Sequence, residues 1–197
     1  MEASEWDEHA ADWDDDPAAR AYAEAAFASL ERALAATHRS LDDLVVCDFG
    51  CGTGLLTERL VRRCRRIDAV DTSPAMLERL DAKVDRLGWS NVATMAELSS
   101  ADACYDLIVC SSVLAFVDDH PATVRTLADR LRPSGMIVHW DWALDPEEDE
   151  PFGLTEPVIR AALENAGLAS VSVGVGFEVP FEDQVMQPLM GVGIGPD

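Results

Sequence analysis

Apolar positions return every three to four residues between about 5 and 36, with Tyr22, Ala26, Leu30 and Leu34 four apart, and this period predicts helix. Asp14-Asp15-Asp16-Pro17 interrupts it. Asp16 suits a helix N-cap and Pro17 the first helical position, so a short segment, a break and then a long helix are expected. From Leu44 to Phe49 the pattern changes to a continuous apolar, β-branched run, the signature of a strand buried on both faces. Strand-like runs follow at 67–71, 91–95, 105–110 and 136–140. Helical stretches separate them at about 55–63, 74–87 (stopped by Gly88) and 121–131, the last followed by a Pro133-Ser134-Gly135 turn. This alternation predicts a parallel, doubly wound α/β sheet. Beyond it come a surface loop at 145–153, a helix at 155–166, and strands at 169–179 and 185–194. A turn at 180–183 would join these two strands into an antiparallel hairpin.

The length of 197 residues with 48% hydrophobic content suits one domain with a single core, and no repeat or second domain is visible. No apolar run is long enough for a membrane span, and the acidic start Met1-Glu2-Ala3-Ser4-Glu5 lacks the basic region of a signal peptide, so a cytoplasmic protein is expected. The five cysteines form no Cys-x-x-Cys pair and several sit in apolar runs; reduced thiols and no metal site are expected. A formal net charge of −22 repels polyanions, which makes DNA or RNA a poor substrate. Lys83 is the only lysine, and the acidic balance fits either a salt-rich cytoplasm or an ordinary acidic protein.

The first strand ends in Asp48-Phe49-Gly50-Cys51-Gly52-Thr53-Gly54 and runs directly into helical spacing. Glycines there let backbone N–H groups approach a nucleotide-like ligand. The dinucleotide fingerprint Gly-x-Gly-x-x-Gly would need its last glycine where Leu55 stands, and no Gly-Lys-Ser/Thr of a phosphate-binding loop is present. An acidic residue, one spacer and Gly-x-Gly-x-Gly resembles instead the first motif of the class I S-adenosylmethionine-dependent methyltransferases, of the small-molecule type. The resemblance implies that Gly50, Cys51, Gly52 and Gly54 lie beside the methionyl part of the cofactor, whose amino and carboxylate groups bond to backbone and to Asp48 directly or through water.

Asp71, at the end of the second strand, fits the acidic residue that accepts both ribose hydroxyls, and Asp71-Thr72-Ser73-Pro74-Ala75-Met76-Leu77 resembles the second motif, with Thr72 and Met76 beside the nucleoside. An ordinary helix N-cap is the alternative role for Asp71. Where the family commonly has an aspartate for the adenine amino group, this chain has Ala96-Glu97; Glu97 or a backbone group takes that contact, or Glu97 is simply solvated. Ser111 and Ser112 would lie near the reactive end of the cofactor. The implied fold is a Rossmann-like seven-stranded sheet of order 3-2-1-4-5-7-6, strand seven antiparallel, with helices on both faces. It would form a single domain over 1–197, with residues 1–40 as a helical lid. Pro188 should then stand at the start of strand seven or at a bulge.

Trp13 is expected to cover the cofactor from the N-terminal segment, and Arg20 to meet its carboxylate; the alternatives are an aromatic anchor and an exposed helix arginine. In-line methyl transfer needs alignment and partial desolvation more than a base. If the acceptor must lose a proton, His139, Asp141 and His120 are the candidates, although His139 within a strand also reads as a packed core residue. No residue is assigned as catalytic. With no motif of a base-modifying methylase and no room for a target-recognition domain, a small-molecule methyl acceptor is expected, for a monomer or homodimer with neither nucleic acid nor membrane as partner. A cationic protein substrate is second. A non-catalytic cofactor-binding scaffold on the same fold is the alternative of a different class.

Overall fold

The structure is a computed structural model that describes residues 3–98, 104–147, 151–181 and 184–197. The chain forms two compact units, Met1–Ser100 and Ala101–Asp197. The first contains α1 (Ala3–His9), a 3-10 turn (Trp13–Asp15), α2 (Pro17–Ala36), β1 (Val45–Phe49), α3 (Thr57–Leu60), β2 (Arg66–Val70), α4 (Pro74–Leu87) and β3 (Val92–Met95). The second contains β4 (Tyr105–Ser111), α5 (His120–Ala128), β5 (Leu131–Asp141), α6 (Glu156–Asn165), β6 (Ser172–Val175), β7 (Val179–Phe181), β8 (Gln184–Met186) and β9 (Leu189–Ile194). Seven strands are ordered β3-β2-β1-β4-β5-β9-β6, the expected α/β order with β9 as the seventh strand. β9 runs antiparallel to both β5 and β6.

In the first unit β1, β2 and β3 pair in parallel, with Val46 opposite Ile67 and Val70 opposite Met95. β1 is buried along four of its five positions because helices can cover a parallel strand on both sides. The break before α2 forms as expected: Asp16 accepts the Ala18 N–H at 2.8 Å and Pro17 opens the helix. α4 is capped at both ends, by the Ser73 hydroxyl on Met76 N–H and by Gly88 in the left-handed region at φ 68°. The helix expected over 55–63 contracts to the single turn of α3, although bonds such as Cys64 N–H to Leu60 O continue a helical course. Neither end carries a side-chain cap, and the β-branched Thr57 and Val61 add no helix propensity.

Three further boundaries change in the second unit. α5 begins one residue earlier, at His120 under an Asp119 cap, and ends at Ala128, where the Asp129 and Arg130 N–H groups turn back on Arg125 and Leu127. The turn expected at Pro133-Ser134-Gly135 is absorbed into β5 as an irregularity: Tyr105 pairs with Leu131 but Leu107 with Met136, and Ser134 takes φ 58°. The C-terminal hairpin is divided. β6 pairs with β9, while β7 and β8 form a separate two-stranded ribbon whose tip, residues 182–183, lies outside the described residues. Pro188 immediately precedes β9 and its carbonyl accepts the Gly176 N–H, so it removes no ladder donor from this internal strand. Leu107, Ile108, Val109, Val138 and Trp140 have no exposed surface, and Ile159 and Leu163 of α6 are buried with them.

Candidate functional site

The carboxyl end of β1 carries the glycine loop, and the backbone there is shaped by a second strand. The Gly50 and Cys51 N–H groups both donate to Val70 O, at 2.8 and 3.0 Å, so the loop turns across the end of β2. Gly50, Gly52 and Gly54 adopt φ of 72°, 54° and 87°, which a side chain would resist. At Gly54 packing adds to conformation: a Cβ would lie 2.5 Å from Leu80 Cδ1 of α4.

Asp71 closes this loop. Its Oδ2 accepts the Gly52 N–H at 2.7 Å and its Oδ1 the Ser73 N–H at 2.9 Å, tying the glycine loop to the entry of α4. The cap of α4 is Ser73, so the alternative reading of Asp71 as an ordinary N-cap is set aside. Burial raises the Asp71 carboxyl above its ordinary range; the N–H bonds from Ser73, Gly52 and Thr72 oppose the shift, and Asp7 adds to it.

Asp48 is buried inside the same structure, 1% exposed. Its Oδ2 accepts the Thr57 hydroxyl at 2.5 Å, and its Oδ1 has no hydrogen-bond partner among the described residues. Desolvation pushes its carboxyl up to about 6 against the bond from Thr57, with Asp71 adding a smaller push in the same direction. A buried acceptor with a free lone pair fits a cationic donor such as an α-ammonium group, which would stabilise the ionised carboxylate and supply the missing bond.

The N-terminal segment is pinned to both motifs. Asp14 Oδ1 accepts the Thr53 hydroxyl of the glycine loop at 2.7 Å, and its carboxylate pairs with Lys83, which also meets Glu58 at 2.7 Å. Asp7 Oδ1 accepts the Ser73 hydroxyl at 2.5 Å and the Ala75 N–H at 3.2 Å. Sequence reasoning did not single out Asp7, Asp14, Thr57 or the function of Lys83. The one available signal was Lys83 itself, the sole lysine of the chain, on an otherwise arginine-bearing helix.

The other expected residues of this unit fall as follows. Met76 is 2% exposed, with Sδ 3.9 Å from where a Gly52 Cβ would be, so it lines the loop from α4. Cys51 is buried and its thiol is pushed well above its usual value by burial, then by Asp48. Trp13 is half-buried and packs edge-on against Trp6 at 5.9 Å. Thr72, Ala96 and Glu97 are exposed beyond the ends of β2 and β3. Arg20 is exposed on α2, with no side-chain partner among the described residues.

In the second unit Ser111 and Ser112 sit half-buried at the carboxyl end of β4. Ser112 has φ 58° and donates its N–H to Trp140 O at 2.7 Å. The three proton-transfer candidates lie inside. His139 and Asp141 have no exposed surface, His139 Nδ1 is 2.8 Å from Asp141 Oδ2, and Asp141 Oδ1 accepts the Ala115 N–H at 2.9 Å. His139 Nε2 points toward Gly191, where a Cβ would be 2.3 Å away. His120 is 8% exposed, its ring 6.3 Å from that of His139; burial, then His139, lowers its pKa. The packed-core reading of His139 therefore holds.

Residues 47–139 match the family described as a methyltransferase domain. A ubiquinone biosynthesis O-methyltransferase of Methylocella silvestris is 33% identical over 102 residues, covering 50% of this chain and 40% of that protein. A malonyl-acyl-carrier-protein O-methyltransferase of Hahella chejuensis is 36% identical over 97 residues, 47% of this chain and 34% of that protein. The chain spans less than half the length of these two relatives. The crystal structure of N-methyltransferase NodS from Bradyrhizobium japonicum WM9 in complex with S-adenosyl-L-homocysteine has the same fold: the TM-score is 0.69 at 24% identity, covering 93% of this chain and 90% of that one.

Proposed function

We propose that this chain binds S-adenosylmethionine at the glycine loop and catalyses methyl transfer to a small molecule. The observation that carries the reading is the pair of carboxylates set against one glycine loop. Asp71 braces the loop through Gly52, and Asp48, buried beside it, keeps one oxygen without a partner among the described residues. When bound, the cofactor supplies a methyl group activated by its sulfonium charge. Asp48 Oδ1 would hold the ammonium group of its methionyl part, and Asp71, whose oxygens retain lone pairs beyond their backbone bonds, would take the ribose hydroxyls. Met76 offers an apolar wall for the adenine, with Thr72, Ala96 and Glu97 at the same strand ends. Trp13 would cover the site from the pinned segment, and Arg20 would serve the cofactor carboxylate.

His139 and Asp141 have no exposed surface and His120 is 8% exposed, so no proton is routed through them. Rate would come from orientation and exclusion of water, which suffice for a displacement in which charge is lost. The cofactor's lack of phosphates matches a site whose recognised groups are carboxylates in a chain of net charge −22. No described helix is long and apolar enough to cross a membrane.

Calorimetry with S-adenosylmethionine, S-adenosylhomocysteine and NAD tests the cofactor: the first two should bind and NAD should not. Binding of NAD in their place would overturn the reading. A labelled-methyl transfer screen over phenols, amines and small carboxylic acids then tests the activity, and cofactor binding with no transfer to any class would favour a scaffold.

A further inference from the structure

β4 and β5 both end at the edge where parallel sheets bind ligands, and the loops leaving them bring two aromatic rings together. Phe116 follows β4 and Phe152 stands in the return of the loop after β5; their ring centroids are 4.7 Å apart with planes at 41°. Phe152 is 41% exposed, which leaves part of a large apolar surface in water at that edge. Rings held in this way offer a planar apolar partner a further face on which to stack.

Backbone hydrogen bonds hold residues next to both rings. Leu144 N–H donates to Leu154 O and Leu154 N–H to Trp142 O, closing the base of the loop that carries Phe152. The chain crosses itself there at Gly153, φ 122°, where a Cβ would be 2.5 Å from Trp142 O. On the other side, Asp141 reaches from the end of β5 to the Ala115 N–H, one residue before Phe116, and His139 fixes the second oxygen of that carboxylate. A fully buried carboxylate oriented by a buried imidazole is a costly device for a loop that merely connects two elements.

We propose that Phe116 and Phe152 form the recognition surface for a planar, apolar portion of the methyl acceptor, and that Asp141 is a positioning residue that holds the Phe116 loop in place. The proposal rests on the methyltransferase reading for the word acceptor; the aromatic site itself does not depend on it. It selects for ring-bearing acceptors and against short aliphatic amines.

The test is a binding titration of 2-naphthol and, in parallel, of n-butylamine into the full chain, followed by saturation-transfer NMR, with S-adenosylhomocysteine calorimetry on the same samples. 2-Naphthol should bind and n-butylamine should not. Phe152→Ala, at an exposed position, should weaken 2-naphthol about tenfold with S-adenosylhomocysteine affinity unchanged. Phe152→Tyr should restore it, and Asp141→Asn should raise the KM for ring-bearing acceptors more than it lowers kcat. Equal binding of 2-naphthol to wild type and Phe152→Ala, or none to wild type, overturns the proposal. Loss of S-adenosylhomocysteine binding alone, with 2-naphthol still dependent on Phe152, would instead overturn the cofactor reading and leave the aromatic site standing.

Discussion

The two units handle buried polarity in opposite ways. In the first, the polar groups around the glycine loop bond one another through short connections: Asp71 to Gly52 and Ser73, Asp48 to Thr57, Asp14 to Thr53 and Lys83. In the second, a buried His139–Asp141 pair and His120 sit in an otherwise apolar interior, and three ring nitrogens have no partner among the described residues. A half built on bonded carboxylates at strand ends can trade backbone donors for ligand donors. A half whose buried polar groups are locked inside can only hold a loop in position.

Perturbing packing in the second unit should give the largest effect. Gly191→Val puts a side chain 2.3 Å from His139 Nε2 and 2.7 Å from Ile159 Cγ2, and should cost about 3 kcal/mol or more, read from the denaturation midpoint. A small change there would mean that the polar cluster is loosely packed and would erase the contrast. Asp71→Ala should follow. Two hydrogen bonds to a charged group, each about 1.5 kcal/mol, put the expected fall in S-adenosylhomocysteine affinity at roughly a hundredfold by calorimetry.

Asp48 gives a pH-dependent signature. Its folded-state value of about 6 lies above the ordinary 3.8, so between those values the native chain holds a proton that the unfolded chain has lost. Stability from this group therefore falls as pH rises through that window, and the cost is complete above it. Asp48→Asn should raise stability at neutral pH by on the order of 2 kcal/mol and flatten the pH profile between pH 4 and 6. Cofactor affinity should change in the opposite sense, weakening below about pH 6 as the carboxylate is neutralised. An unchanged pH profile in the variant would show that the burial of Asp48 is not what shifts it. Lys83→Met should be the mildest, about 1 kcal/mol, because Asp14 and Glu58 are each about one-third exposed and can be rehydrated. Its effect should shrink further in high salt.

What was legible in the sequence followed local physics. The caps at Asp16 and Gly88, the buried run of β1 and the glycine spacing each depend on a few neighbouring residues, and each formed where expected. The elements that moved are those whose ends are set by distant partners. The C-terminal strands divided because β6 has only four partners on β9 before the chain turns away into β7 and β8. The Pro133-Ser134-Gly135 segment was drawn into β5 because strand pairing with β4 continues on both sides of it.

By itself the sequence determined the order of alternating elements, the glycine loop and the acidic residues placed around it, since periodicity, caps and left-handed turns are written in short stretches of chain. Only the tertiary structure decided which carboxylates are spare and which are spent. Asp48 keeps an oxygen without a partner among the described residues, while Asp141 is used up on His139 and the Ala115 backbone, because hydrogen-bond satisfaction and burial depend on residues brought together from far along the chain.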